Sequence, residues 1–200
     1  MEEEQLTLFE MTDGVICGAD EAGRGPLAGP VATAACVLPD DFPTEILNDS
    51  KKLSEREREV AEKIIKEKAL DYEIVFIYPE EIDRINILQA SLKGMATCCL
   101  RIRERTHFDT ILIDGNRKPK ELEGLPVRAE VKGDARFYPI MAASILAKTA
   151  RDRYMDEMDE KYPGYGFRNH KGYPTKEHIA AIKEKGLTPI HRLSFKVKEK

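Results

Sequence analysis

Val15-Ile16-Cys17-Gly18-Ala19-Asp20-Glu21-Ala22-Gly23-Arg24-Gly25-Pro26-Leu27-Ala28-Gly29-Pro30 decides the fold. Its apolar start reads as a strand over 14–19, which ends on two adjacent carboxylates and a glycine-rich turn carrying one arginine. Pro26, Gly29 and Pro30 then lead into a second β-branched run, Val31–Leu38, rather than into a helix. Acids beside a turn open enough to admit a phosphate backbone make physical sense when a divalent cation lies between them. The stretch therefore points to metal-dependent chemistry on a nucleic acid, placed at the end of a strand.

Working outward, Tyr72–Ile77, Thr110–Ile113 and Val127–Val131 are further strand candidates, bounded by Gly, Pro or Asp. Ser54 with Glu57 forms a capping box, which predicts a helix ending near Ala69. Pro79-Glu80-Glu81 starts another helical pattern that reaches about Arg105, with a break near Asn86. Pro139 begins a third helix running through Ser144, Lys148 and Asp152 to about Lys161, and Pro174-Thr175 a fourth, closed by Gly186. Strands first, then strands interleaved with helices, predict an α/β domain around a mixed sheet, followed by a helical C-terminal part. The organisation expected is a mobile segment over 1–12, a catalytic domain over 13–161, and a substrate-binding loop with a C-terminal helical extension of the same domain over 162–200.

The 200 residues, 42% hydrophobic and 34% charged, are ordinary for one globular domain. No run approaches a membrane span, and the acidic N-terminus lacks the basic and apolar regions of a signal peptide, so a cytoplasmic location is expected. Cys17, Cys36, Cys98 and Cys99 show no zinc spacing and read as reduced, buried thiols. The net charge of −4 hides an asymmetry: residues 1–50 hold eleven acids against Arg24 alone, whereas 161–200 hold ten Lys/Arg against three acids. A basic flank beside an acidic metal site, or a solvated charged helix, both fit that division.

Three places put carboxylates at the end of a strand-like run: Asp20 with Glu21, Asp114 after Ile111-Leu112-Ile113, and Asp134 after Val131-Lys132-Gly133. Singly, each reads as a turn or cap residue. Jointly, four hard oxygen ligands without Cys or His suit Mg²⁺ or Mn²⁺. Phosphodiester hydrolysis has a use for such a set, because two cations about 4 Å apart activate the attacking water and stabilise the leaving oxygen.

Gly23-Arg24-Gly25-Pro26-Leu27-Ala28 also satisfies the G-x-G-x-x-A dinucleotide fingerprint, with Asp40 and Asp41 near the expected downstream acid, which would indicate an oxidoreductase. That fingerprint must open a helix, and here it does not; Asp20 and Glu21 would also face the pyrophosphate unscreened. Ser144 and Lys148, at i and i+4, share a helix face and either donate to one phosphate or form a solvent-facing pair. Tyr162–Pro174 interleaves aromatics with cations in a glycine-rich loop, which suits stacking on sugars or bases with at least one aromatic exposed.

Together these pieces resemble ribonuclease HII, the bacterial type 2 ribonuclease H. The resemblance runs from Gly18 to Phe195: Gly18-x-Asp20–Val31, Asp49-Ser50-Lys51-Lys52-Leu53-Ser54, Ile113-Asp114-Gly115-Asn116, Lys132-Gly133-Asp134, Ala143–Lys148, Tyr162-Pro163-Gly164-Tyr165-Gly166, His170-Lys171-Gly172-Tyr173 and His191-Arg192-x-Ser194-Phe195. It implies a ribonuclease H-like mixed sheet flanked by helices with a helical C-terminal extension. It implies endonucleolytic cleavage 5′ to a ribonucleotide, in RNA–DNA hybrids or at single ribonucleotides in duplex DNA. The products would be a 3′-hydroxyl and a 5′-phosphate, and the role ribonucleotide removal during replication and repair. By motif, Asp20, Glu21, Asp114 and Asp134 would be the catalytic, metal-binding quartet. Gly23, Arg24 and Gly25 would bracket the ribonucleotide and read its 2′-hydroxyl, Ser144 and Lys148 would contact phosphate, and Tyr165 would pack on the neighbouring deoxyribose. Asp152 reads as a helix-surface residue, and nothing demands more than a monomer.

Outside the family core, Gln5-Leu6-Thr7-Leu8-Phe9 resembles the short peptide by which bacterial replication and repair proteins dock on the sliding clamp. Burial of Leu6, Leu8 and Phe9 in a clamp groove, with Gln5 beside it, is one reading; packing of Leu8 and Phe9 on the domain is the other. A noncatalytic nucleic-acid-binding protein on the same fold is the remaining class.

Overall fold

The computed structural model describes residues 14–48, 50 and 52–196. Five strands form one mixed sheet: β1 Ile16–Ala22, β2 Val31–Val37, β3 Asp71–Ile77, β4 Thr110–Asp114 and β5 Val127–Glu130, in the order β3-β2-β1-β4-β5. β1–β2 and β2–β3 pair antiparallel, and β1–β4 and β4–β5 pair parallel. The helices are α1 Glu55–Lys68, α2 Pro79–Ile85, α3 Ile87–Arg103, α4 Tyr138–Lys161, α5 Phe167–His170 and α6 Lys176–Lys185. The capping box at Ser54 and Glu57 is present, and the chain breaks at Asn86, whose φ of 68° ends α2 while its side chain caps α3.

Side-chain alternation along the strands assigns the two faces. Cys17 and Ala19 of β1, Ala35 and Val37 of β2, and Ile111 and Ile113 of β4 share one core with α3. Ala34 and Cys36 of β2 face a second core, made by α1 and the buried first half of α4. By the same parity Gly18 and Asp20 lie toward α4, and so does Asp114 at the end of β4. Gly18 is where the strand admits the helix: a Cβ there would stand 2.4 Å from the Ile140 backbone nitrogen. The four thiols are free and buried in these cores. Among the described residues no helix is long and apolar enough to cross a membrane.

Candidate active site

Asp20 and Asp114 stand side by side on adjacent strands of the sheet. The parallel β1–β4 register pairs Ala19 with Ile113, so the next residue on each strand is a carboxylate on the α4 face. Asp20 is only 4% exposed, and its Oδ1 accepts the Glu21 amide at 2.7 Å. Burial, then the neighbouring Glu21 and Asp114 charges, hold the Asp20 carboxyl well above the usual carboxylate range, against a hydrogen bond from Ser144. Asp134 arrives from beyond β5. Lys132 adopts the left-handed conformation at φ 57°, a short 3₁₀ turn follows over Gly133–Ala135, and the Asp134 amide donates to Asp114 Oδ1 at 3.3 Å. The turn fits because Gly133 has no Cβ, which would meet Ile140 at 2.5 Å and Asp114 Oδ1 at 3.3 Å.

The site thus gathers acids from three separate chain segments where two of them, Asp20 and Asp134, are buried. Among the described residues no three His, Cys, Asp or Glu side chains stand at ligand spacing around one point. Like charges in a desolvated corner repel, and only hard oxygen donors meet there, with the thiols away in the cores. A divalent cation fits that donor set and would offset the repulsion.

The glycine-rich turn lies against the acids, with Arg24 Nη1 3.3 Å from Glu21 Oε1. It opens onto β2, which pairs antiparallel with β1, so the G-x-G-x-x-A spacing has no helix N-terminus behind it and the dinucleotide reading lacks its phosphate site. Ser144, expected to contact phosphate, is 5% exposed; its hydroxyl bonds Asp20 and lies 2.9 Å from Ser50 Oγ, which makes it a support for the carboxylate. Lys148 is partly exposed and paired with Asp152.

Two expectations are corrected. Asp152 is not on the helix surface: it is buried and bridges Lys148 to Arg58, whose Nη2 is 3.4 Å away. Arg58 also donates to the Leu53 and Ser50 carbonyls at 2.6 and 3.3 Å, so it ties the start of α1 to α4. Sequence reading missed it, since its carboxylate partner, Asp152, lies 94 positions away. Tyr165, expected against a sugar, is 7% exposed; its hydroxyl donates to the Gly186 carbonyl at 2.9 Å and its ring stacks on Phe167 at 5.3 Å. The exposed aromatic of that loop is Tyr173, at 46%, whose ring edge stands 3.3 Å from where a Gly25 Cβ would be. Three buried histidines hold Tyr173 in place. His178 Nδ1 lies 2.9 Å from the Tyr173 carbonyl, its Nε2 is 3.1 Å from His191 Nε2, and its ring stacks on His170 at 4.5 Å. Burial pushes the His178 imidazole down to about 4, so it stays neutral in the folded protein near neutral pH. The peptide Gln5–Phe9, with Asp49 and Lys51, lies outside the described residues.

The family model described as Ribonuclease HII matches residues 17–198. Ribonuclease HII of Endomicrobium trichonymphae is 52% identical over 182 residues, covering 90% of this chain and 84% of the relative. Among solved structures, ribonuclease H2 from Pyrococcus horikoshii OT3 superposes with a TM-score of 0.75 at 28% identity, covering 92% of this chain and 94% of that one. The PCNA:RNase HII complex from Archaeoglobus fulgidus gives a TM-score of 0.76 at 26% identity, covering 93% and 97%.

Proposed function

The chain belongs to the ribonuclease HII family and is a ribonuclease H of RNA–DNA hybrids, and from that premise we propose that it cuts the phosphodiester 5′ to a ribonucleotide, leaving a 3′-hydroxyl and a 5′-phosphate. Single ribonucleotides in duplex DNA are included among its substrates, which fits a role in clearing them during replication and repair. The observation that supports this reading is Asp20 beside Glu21 and Asp114, with the Asp134 amide on Asp114, next to a glycine-rich turn whose Arg24 and Gly25 are exposed.

Asp20, Glu21, Asp114 and Asp134 would hold Mg²⁺ or Mn²⁺, which when bound supplies activation of water and stabilisation of the leaving oxygen. The protein's part is placement. Ser144 fixes the Asp20 carboxylate through its hydroxyl. The Asp134 amide fixes Asp114. Gly23, Arg24 and Gly25 offer backbone and guanidinium donors to the ribose 2′-hydroxyl, the group that separates RNA from DNA. Lys148, held by Asp152, stands on the same α4 face as Ser144 and meets a phosphate. Tyr173, rather than Tyr165, packs on the sugar next to the cut.

The test is a panel of one sequence as RNA–DNA hybrid, DNA duplex with one ribonucleotide, and all-DNA duplex, with product ends mapped. Cleavage of the first two is expected, with a 3′-hydroxyl on the upstream product and a 5′-phosphate on the downstream one; equal cutting of the all-DNA duplex would overturn the reading. On the one-ribonucleotide duplex, Tyr173→Ala is expected to lower kcat/KM about tenfold, since ring contacts of this kind are worth about 1–3 kcal/mol. Tyr165→Phe is expected to leave kcat/KM unchanged and to cost about 1 kcal/mol of stability through its lost hydrogen bond. A Tyr173→Ala enzyme with full kcat/KM would place the sugar elsewhere.

We also propose that Gln5–Phe9 docks on the replication sliding clamp, a reading supported by the peptide pattern and by the Archaeoglobus fulgidus relative solved with PCNA. Deleting residues 1–10 is expected to abolish clamp binding in a pull-down and to leave cleavage of free duplex intact. Unchanged clamp binding, or none by the full chain, would end that idea.

A further inference from the structure

The glycine-rich turn is held from behind by two guanidinium groups that the family reading leaves without a role. Arg192 donates from Nη2 to the Gly23 carbonyl at 2.6 Å, from Nη1 to the Arg24 carbonyl at 3.0 Å, and from Nε to the Gly29 carbonyl at 2.8 Å. Arg151, on α4, donates to the Ala28, Pro30 and Lys171 carbonyls at 3.0–3.1 Å. Both side chains are 2% exposed, and among the described residues neither meets a carboxylate at ion-pair distance. Phe195 covers Arg192, its ring 5.0 Å from the guanidinium carbon.

Burying a cation on carbonyls alone is costly, and a fold keeps such a group where its geometry is used. Desolvation, with repulsion from Arg151, pushes Arg192 down to about 9, which still leaves it charged at neutral pH. The geometry turns the loop inside out. In a trans peptide the carbonyl of one residue and the amide of the next point in opposite directions, and the chain has no cis bond. With the Gly23 and Arg24 carbonyls drawn onto Arg192, the Arg24 and Gly25 amides face away from it, and among the described residues neither has a partner. The turn therefore offers two adjacent N–H donors, backed by two buried guanidinium groups, beside the carboxylates. A residue near the C-terminal end sets this from 168 positions away.

We propose that Arg192 is the positioning residue for ribonucleotide selection: by holding the Gly23 and Arg24 carbonyls it aims the Arg24 and Gly25 amides at the sugar–phosphate of the ribonucleotide. The proposal rests on the functional reading above and adds a residue that never touches the substrate.

The experiment compares wild type, Arg192→Lys and Arg192→Ala by kcat and KM on the one-ribonucleotide duplex, by affinity for the all-DNA duplex, and by thermal denaturation. Lysine keeps the charge but cannot span two carbonyls with a planar fork. Arg192→Lys is expected to lose about 10–100-fold in kcat/KM on the ribonucleotide, the range seen when outer supporting partners are removed. Its affinity for the all-DNA duplex should stay within about twofold, since the phosphate contacts are untouched. Millimolar guanidinium, and not ammonium, is expected to restore kcat/KM of Arg192→Ala. A folded Arg192→Lys with wild-type kcat/KM would overturn the proposal. So would losses that fall equally on all-DNA binding with no guanidinium rescue, or failure of both variants to fold, either of which marks a merely structural arginine. Wild type that does not distinguish the two duplexes would instead overturn the functional reading, and this proposal with it.

Discussion

Asp20→Asn is expected to lower cleavage of a one-ribonucleotide duplex by at least about 10³-fold while raising the melting temperature at neutral pH. Loss of an outer supporting partner of a metal costs about 10–100-fold, and loss of a ligand costs more. The stability sign follows from the carboxyl's surroundings. Asp20 is buried beside Glu21 and Asp114, and its pKa in the folded protein lies above its ordinary value. Between those two values the folded state binds the proton more tightly than the unfolded chain, so stability falls as pH rises through that window. The penalty grows as pH rises through that window, and asparagine removes it without changing the shape of the side chain. Thermal denaturation from pH 4 to 8 checks the sign: wild type and variant converge at the acidic end and separate toward neutrality. Added Mg²⁺ is expected to raise the melting temperature of the wild type more than that of the variant, because the ion binds only the folded site. A variant that melts no higher than wild type and turns over within about tenfold of it would contradict both the burial argument and the ligand role.

Gly18→Ala is expected to destabilise the fold by about 3 kcal/mol, at the upper end of what one inserted methyl costs in a packed interior. For a chain of this size that corresponds to a loss of about 6–12 °C in melting temperature. The new Cβ would stand 2.4 Å from both the Ile140 nitrogen and the Pro139 carbonyl carbon. These are backbone atoms at the start of α4, so no rotamer change relieves the contact, and β1 and α4 must separate. Ser144 sits further along that helix with its hydroxyl on Asp20. Activity should therefore fall together with stability, whereas Asp20→Asn divides them. Urea denaturation gives the check; an unchanged midpoint would mean that the strand–helix approach is looser than described.

Much of this was legible in the sequence, and the reasons are local. The β-branched runs, the Ser54–Glu57 capping box and the break at Asn86 each depend on residues within a few positions, and elements formed at those signals, although β1 runs Ile16–Ala22 and not 14–19, because pairing with β2 carries the strand through Asp20 and Glu21. The acids Asp20, Asp114 and Asp134 were visible as strand-end or turn residues for the same reason. What escaped depends on partners far along the chain. Asp152 read as a helix-surface residue, because the arginine that covers it comes from α1. The loop over 162–174 could be seen to carry aromatics, but which ring is buried depends on the Gly186 carbonyl and on His178 and His191, and these select Tyr165 for the interior and leave Tyr173 outside. The short helix α5 inside that loop, flanked by left-handed Gly166 and Lys171, carried no periodic signal at four residues. Nothing local to Arg151 or Arg192 marks a carbonyl-binding role, and only the fold shows them aimed at carbonyls of the glycine-rich turn.

The central claim is that four carboxylates beside the Gly23–Gly25 turn make a metal-dependent site that cuts at a ribonucleotide. Its most direct test is cleavage of an end-labelled DNA duplex containing one ribonucleotide, by wild type and Asp114→Asn, in Mg²⁺, in Mn²⁺ and in chelator. One cut 5′ to the ribonucleotide, made by wild type in either ion, lost in chelator and lost in the variant, is the predicted result. Cleavage that persists in chelator, or at full rate in folded Asp114→Asn, would contradict it.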